Sequence, residues 1–187
     1  MKTDLSKYDN SWYQPGSKLK ILLWYFTNVL FFQNILNPSS QLKIILLKPF
    51  GAKIGKGVVI KPGVNIKYPW KLSIGDYTWI GEKVWIDNLA EVNIGSNVSI
   101  SQGAMLLCGN HNYKKSTFDL IVKEIILEDG VWIGAQSVVC PGVVCYSHSI
   151  LSVGSVANKD LEPYCIYQGN PAVKLRERIK EEITNYS

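Results

Sequence analysis

IGDYTWIGEKVWIDNLAEVNIGSNVSISQGAML, residues 74–106, carries aliphatic side chains at Ile74, Ile80, Ile86, Ile94, Ile100 and Leu106. The interval is six residues, lengthened once by two between Ile86 and Ile94. Upstream the same ruler reads Ile54, Ile60 and Ile66. Downstream it reads Leu127, Ile133, Val139, Cys145, Leu151 and Ala157. Gly55, Gly75, Gly81, Gly95 and Gly134 directly follow five of these residues, and small or β-branched residues such as Val58, Thr78, Val84, Ala104 and Ser137 stand four positions after many of them. A period of six is neither the 3.6 of a helix nor the plain alternation of a strand. It describes a short strand plus a corner, with one aliphatic side chain per face aimed inward and small residues letting the chain turn.

Three such faces close one triangular coil, and the fifteen ruler positions make five coils. Stacked at the strand spacing of about 4.8 Å, they predict a prism of roughly 20 Å. The two-residue excesses, from Ile66 to Ile74 and from Ile86 to Ile94, fall at the same corner. An ordinary β-sandwich with turns has no reason to place them so.

The pattern resembles the hexapeptide-repeat acyltransferase superfamily, which is built on left-handed parallel β-helices. The resemblance is carried by IGKGVVIKPG, IGDYTWIGEKVWIDNL, IGSNVSISQGA, VWIGAQSVVCPGV, VGSVANKD and the closing QGNPAVKLR, across residues 54–178. Handedness is what the resemblance implies; the general crossover rule points to the right-handed form. WIDNL followed by ISQGAMLLCGNHNY is similar to the branch that includes colanic-acid-biosynthesis acetyltransferases. The expectation is a mainly β protein: a basic, apolar helical segment over 1–53, a β-helix over 54–170 with a loop at 107–126, and a C-terminal helix over 171–187 begun by Pro171. The resemblance further implies a homotrimer. Outward Trp79 and Trp132, two coils apart on one face, would suit a subunit interface.

From Leu106 to Leu127 the chain runs twenty-one residues where the ruler needs six, with His111 at the root of the excursion. Long excursions from a rigid scaffold are frequent places for function. A solvated loop histidine is the plain alternative, but repeat phase and the GNH context favour catalysis. In the superfamily a histidine at the start of this loop is the general base of acetyl transfer. The resemblance implies that His111 takes the proton of an acceptor hydroxyl, which attacks the thioester of acetyl-CoA. Imidazole suits the task because it titrates near neutrality. Asn88 lies twenty residues before Cys108, hence one coil away. Asn88 and Asp87 are candidates to orient the imidazole or bind the acceptor, as is Glu91, although the insertion blurs its register. Asp119, within the loop, is a further candidate acceptor contact. Cys108 would allow a thiol nucleophile and an acetyl-enzyme, but its place two residues into a hexad fits strand packing.

In relatives the pantetheine arm of the donor runs along the prism in a cleft between subunits. The resemblance maps donor contacts to Ala135, Val153, Gly154, Asn158 and Lys159, with Lys159 and Arg176 as partners for the CoA phosphates. Ala135 stands where many relatives have serine, so a side-chain contact is absent there. The chain's two histidines, His111 and His148, are too few for the three-histidine zinc site of γ-type carbonic anhydrases on the same prism, and no metal is expected. A non-catalytic scaffold would need neither the His111 loop nor the GNPA ending. The implied function is an acetyl-CoA-dependent O-acetyltransferase acting on a sugar hydroxyl in surface polysaccharide biosynthesis. N-acylation or transfer from another acyl-CoA is the alternative.

Residues 1–53 hold seven lysines against Asp4 and Asp9, which is the whole of the net +5. A balanced body argues against a nucleic-acid partner. Residues 17–36 read as a helix whose polar stripe is Lys20, Thr27 and Asn34, with nearly every other direction apolar. One packing partner cannot bury so much, so a second is implied: another subunit, or an anionic membrane surface contacted peripherally. Lys20, Asn28, Gln33 and Asn34 interrupt the stretch, which argues against a span. Scattered cysteines and a polar start from Met1 to Gln14 suit a cytoplasmic protein without a signal peptide.

Overall fold

The computed structural model describes residues 2–178. The first coil is β1 (Lys53–Ile54), β2 (Val59–Ile60) and β3 (Asn65–Ile66). The second is β4 (Leu72–Ile74), β5 (Trp79–Ile80) and β6 (Trp85–Asp87). The third is β7 (Val92–Ile94), β8 (Ser99–Ile100) and β9 (Met105–Leu107). The chain then leaves the prism as a hairpin, β10 (Gly109–His111) and β11 (Leu120–Val122). It returns for β12 (Ile125–Leu127), β13 (Trp132–Ile133) and β14 (Val138–Val139), then β15 (Val144–Cys145), β16 (Ile150–Leu151) and β17 (Val156–Ala157). A sixth, incomplete turn follows, in which Leu161 bridges Cys145 and β18 (Cys165–Gly169) pairs with β16. The five expected coils are therefore extended by part of another.

Three parallel sheets form the faces, and each ruler residue stands on its counterpart one coil away. Ile54, Ile74, Ile94, Leu127 and Cys145 make one such stack. Every ruler residue except half-buried Ile54 is buried, as are Val58, Val64, Thr78, Val84, Val98, Ala104, Ser137, Val143 and Ser155 four positions on. The hydroxyls among them are spent on neighbouring coils: Thr78 Oγ1 donates to Gly95 O at 2.8 Å, and Ser137 Oγ to Ser152 O at 2.7 Å. The corner itself lies three residues past the ruler position. There the backbone is left-handed even at non-glycine residues such as Tyr77, Asn97 and Gln136.

The N-terminal segment is not one helix over 17–36. It comprises α1 (Lys18–Thr27), a π-helical continuation over Asn28–Phe32, and α2 (Ser40–Leu47) after a turn at Ile35-Leu36. Helix α1 buries Trp24, and its continuation buries Asn28 and Phe32. These helices cover the open edge of the first coil. Trp24 Nε1 donates to Ile66 O at 2.8 Å, and Ser40 Oγ accepts from Ile60 N at 2.8 Å. Lys43, counted with the basic N-terminus, is fully buried and donates to Asn37 O at 2.7 Å, so its charge is not offered outward.

The C-terminal helix expected from Pro171 is also corrected. Residues Ala172–Glu177 form β19, antiparallel to β18, and the rest of 171–187 beyond Arg178 lies outside the described residues. An unpaired edge of β18 offered a ladder, and the alternation of Val173 and Leu175 with Lys174 and Arg176 suits a strand.

Candidate active site

The ruler is irregular at one corner in three successive coils: between Ile66 and Ile74, between Ile86 and Ile94, and between Leu106 and Leu127. Stacking places these irregularities side by side, and they open a cavity of about 610 Å³. Lys67 and Tyr68 come from the first coil, Asp87 from the second, and His111 from the root of the hairpin. Tyr8 and Tyr13 complete it from the chain ahead of α1, which folds back over the corner as a strap. That strap is tied down. Tyr13 Oη donates to Leu89 O at 2.6 Å, Trp70 Nε1 donates to Pro15 O at 2.7 Å, and Asp4 N donates to Ser116 O at 2.8 Å in the hairpin loop.

His111 lies in the hairpin ladder opposite Leu120. Its Nδ1 is 3.0 Å from the carbonyl oxygen of Phe118. A carbonyl only accepts, so Nδ1 carries a proton, and in the neutral ring Nε2 is the nitrogen with the lone pair. Phe118 also stacks on the imidazole, with centroids 4.6 Å apart and planes 10° apart, while Tyr8 tilts against it at 5.9 Å. Phe118 has φ 54, and among the described residues the other positive-φ non-glycine positions are corners of the prism. A bulky residue in the left-handed region is strained, a condition that gathers at functional sites. The strained residue here fixes both the tautomer and the tilt of the histidine.

Asp87, one of the candidates, lines the cavity and receives Lys67 Nζ at 2.9 Å. Asn88 does not orient the imidazole. It is fully buried, accepts from Tyr68 N at 2.9 Å, and donates to the carbonyls of Tyr68 and Lys71, so its whole carboxamide braces two coils. Asp119 pairs with Lys115 at 3.0 Å, and neither it nor Glu91 lines the cavity. Burial pushes the phenols of Tyr13 and Tyr68 above the usual tyrosine range, which keeps both as neutral hydroxyls. Burial lowers Lys71, whose Nζ donates to Leu89 O at 2.6 Å. Among the described residues, no three or more His, Cys, Asp or Glu side chains are grouped to hold a metal ion.

Cys108 is fully buried, and desolvation pushes its thiol up to about 11. The thiolate is the nucleophile, so this sulfur is inert near neutrality. Cys108→Ala is expected to keep at least about half of wild-type turnover, as direct transfer by a neighbouring base requires. Loss of all activity, with acetyl trapped on the wild-type thiol in mass spectra, would restore the acetyl-enzyme route.

A second hollow of about 560 Å³ lies on the adjacent corner, where Ala135 and Val153 stand two residues past Ile133 and Leu151. Arg176 from β19 and Trp132 close it, and Gly154 N donates to Ala135 O at 2.9 Å. Three candidate donor residues, Ala135, Val153 and Arg176, are thus brought together, with Gly154 beside them. Asn158 and Lys159 are not. They follow Ala157 onto another corner, are exposed, and do not line this hollow.

A triangular parallel β-helix interrupted by a histidine-bearing loop is the framework that the resemblance to hexapeptide-repeat acyltransferases implies. No protein-family model matches the chain. The chain is 35% identical over 170 residues to the colanic acid biosynthesis acetyltransferase WcaF of Escherichia coli (strain K12), covering 91% of this chain and 93% of that protein. It is 28% identical over 135 residues to the galactoside O-acetyltransferase of the same organism, covering 71% and 66%. A hexapeptide-repeat acetyltransferase of Vibrio cholerae superposes with a TM-score of 0.78 at 24% identity, covering 87% of this chain and 93% of that one. Its complex with acetyl coenzyme A superposes at 0.72 with 25% identity, covering 78% and 81%. The chain belongs to the hexapeptide-repeat acetyltransferase family, whose parallel β-helix is left-handed.

Proposed function

We propose that the protein is an acetyl-CoA-dependent O-acetyltransferase that modifies a sugar hydroxyl during surface polysaccharide biosynthesis, working at the cytoplasmic face of the membrane. The observation that carries this reading is the Nδ1 hydrogen bond to Phe118 O, which leaves Nε2 as the basic nitrogen of an imidazole lining the cavity. Nε2 takes the acceptor's hydroxyl proton as its oxygen forms a bond to the thioester carbonyl carbon. The C–S bond then breaks, and the imidazolium returns the proton to the departing CoA thiolate. Lys67, Asp87 and the neutral phenols supply hydrogen-bonding groups of both kinds for a polyhydroxylated acceptor. The relatives named for colanic acid biosynthesis and galactoside acetylation support a saccharide, and the acetyl coenzyme A complex of the Vibrio cholerae protein supports the donor.

Donor hollow and His111 occupy different corners of one chain. Direct transfer therefore calls for the hollow of one copy to adjoin the cavity of the next, as threefold packing of prisms provides. Exposed Trp79 and Trp132, aligned through Ser99 between them, support such packing. Asn158 and Lys159 would then reach a donor held by a neighbour.

The test is complementation between two inactive variants, His111→Ala and Ala135→Trp, the second filling the hollow. Thiol release from acetyl-CoA is followed on addition of sugar acceptors. Each variant alone should be nearly silent. Co-expressed in equal amounts, about a quarter of the sites in a cyclic trimer would pair an intact histidine with an intact hollow, and activity should return to that level. No recovery would place both halves in one chain.

A further inference from the structure

Helix α1 has two apolar faces. One, carrying Trp24, packs on the first coil. The other carries Leu19, Leu22, Leu23 and Phe26, at i, i+3, i+4 and i+7, with Leu30 on the π-helical continuation, and each is more than half exposed. Leu36, at the turn before α2, is 84% exposed, and Ile45 on α2 is 55% exposed. Contiguous exposure on this scale is uncommon on a monomeric surface and marks a place of contact.

Charge decides what the contact is. From Asn10 to Gly75 the chain contains nine lysines and no aspartate or glutamate. Lys43 is buried, and the ammonium of Lys20 sits 4.6 Å over the ring of Trp70, but Lys18, Lys48 and Lys53 are exposed around the apolar stripe. A second copy docked on this surface through the same face would bring like charges together with no acidic group between them. An anionic lipid surface takes up both features: acyl chains cover the leucines, and headgroups face the lysines. Ten residues of α1 reach only about 15 Å against a hydrocarbon core of about 30 Å, so the helix lies in the interface rather than crossing it.

The same run of chain walls the cavity. Pro15 lines it, Gly16 turns over the indole of Trp70 with φ +133, and Ser17 opens an apolar groove with Leu19, Leu23, Pro49 and Phe50. We propose that the exposed face of α1 and α2 docks on an anionic bilayer and sets the cavity's strap beside the headgroups, where an acceptor carried on a lipid would be presented. The acceptor part rests on the proposed function; the docking does not.

Flotation of the full chain with vesicles tests it, comparing phosphatidylcholine alone with phosphatidylcholine plus phosphatidylglycerol at low and high salt. Binding is expected to the anionic vesicles and to fall with salt. Lys18→Ala and Lys48→Ala should each weaken it about fivefold, the worth of one basic side chain near such a surface. Phe26→Asp combined with Leu30→Asp should abolish it, while thermal unfolding and thiol release with a water-soluble acceptor stay as in the wild type. The proposal is overturned if anionic vesicles do not bind at low salt, or if the double aspartate variant floats normally. It is also overturned if that variant instead lowers the oligomer mass by light scattering, which would make the occupant a second copy. Flotation requires no acetyl transfer, so an inactive wild type that still floats would remove the enzymatic reading and leave docking standing.

Discussion

Replacing His111 by alanine is expected to lower the acetyl-transfer rate by about 10²- to 10⁴-fold, the span associated with loss of a general base. The fold should survive. His111 stands on the hairpin outside the prism, and its removal forfeits one hydrogen bond to Phe118 and two ring contacts, with no side chain of the core disturbed. One such hydrogen bond is worth about 1 kcal/mol, well within the stability of a domain. The KM for acetyl-CoA should move little, because the donor hollow lies at another corner, so the loss falls on kcat. Steady-state thiol release with saturating donor measures this. Near-normal turnover of His111→Ala with the physiological acceptor would falsify the general-base assignment.

Gly75→Ala should be among the most damaging single-methyl additions in the chain. A Cβ there would meet Gly95 C and Ser96 N at 2.6 Å and Gly95 O at 2.7 Å, all of them backbone. The next coil cannot retreat, because Gly75 N donates to Ile94 O at 2.8 Å and Asp76 N to Ser96 Oγ at 3.1 Å. Overpacking against an immovable neighbour predicts a loss of about 3 kcal/mol, the upper part of the usual range. Gly154 provides the contrast. Its φ is +65, yet no atom lies within 4 Å of the added methyl, so Gly154→Ala should cost only the conformational term of about 1 kcal/mol. Urea midpoints of the two variants would test this, and equal losses would mean that close approach between coils is not what selects glycine after the ruler residue.

The prism was legible because a single inward side chain per face imposes a period that no other element shares. The cavity was legible as a corner, since Ile66 to Ile74, Ile86 to Ile94 and Leu106 to Leu127 depart from the ruler at one phase. What closes that corner was not. Tyr8 and Tyr13 reach it by a path over the surface that no local pattern encodes, and Phe118 meets His111 only through hairpin pairing. Asn158 and Lys159 were separable in advance: they stand one and two residues past Ala157, a different phase from Ala135 and Val153. Asn88 lies one coil from Cys108, as its spacing implies and the pairing of Asp87 with Leu107 shows, but sharing a face says nothing about which backbone claims a carboxamide. At the C-terminus, Pro171 and the cations after it suggest a helix, whereas the two-residue alternation around Val173 carries the opposite signal.

A stack of identical coils contains no instruction to stop. Each coil is a template for the next, and the free edge of the first would accept a coil from any other molecule as readily as from its own chain. Trp24 and Ser40 occupy that edge with side-chain hydrogen bonds to Ile66 O and Ile60 N, where a further strand would otherwise continue the ladder. The helical segment is therefore also a cap on the stack. It closes the edge on which a further coil would otherwise stack.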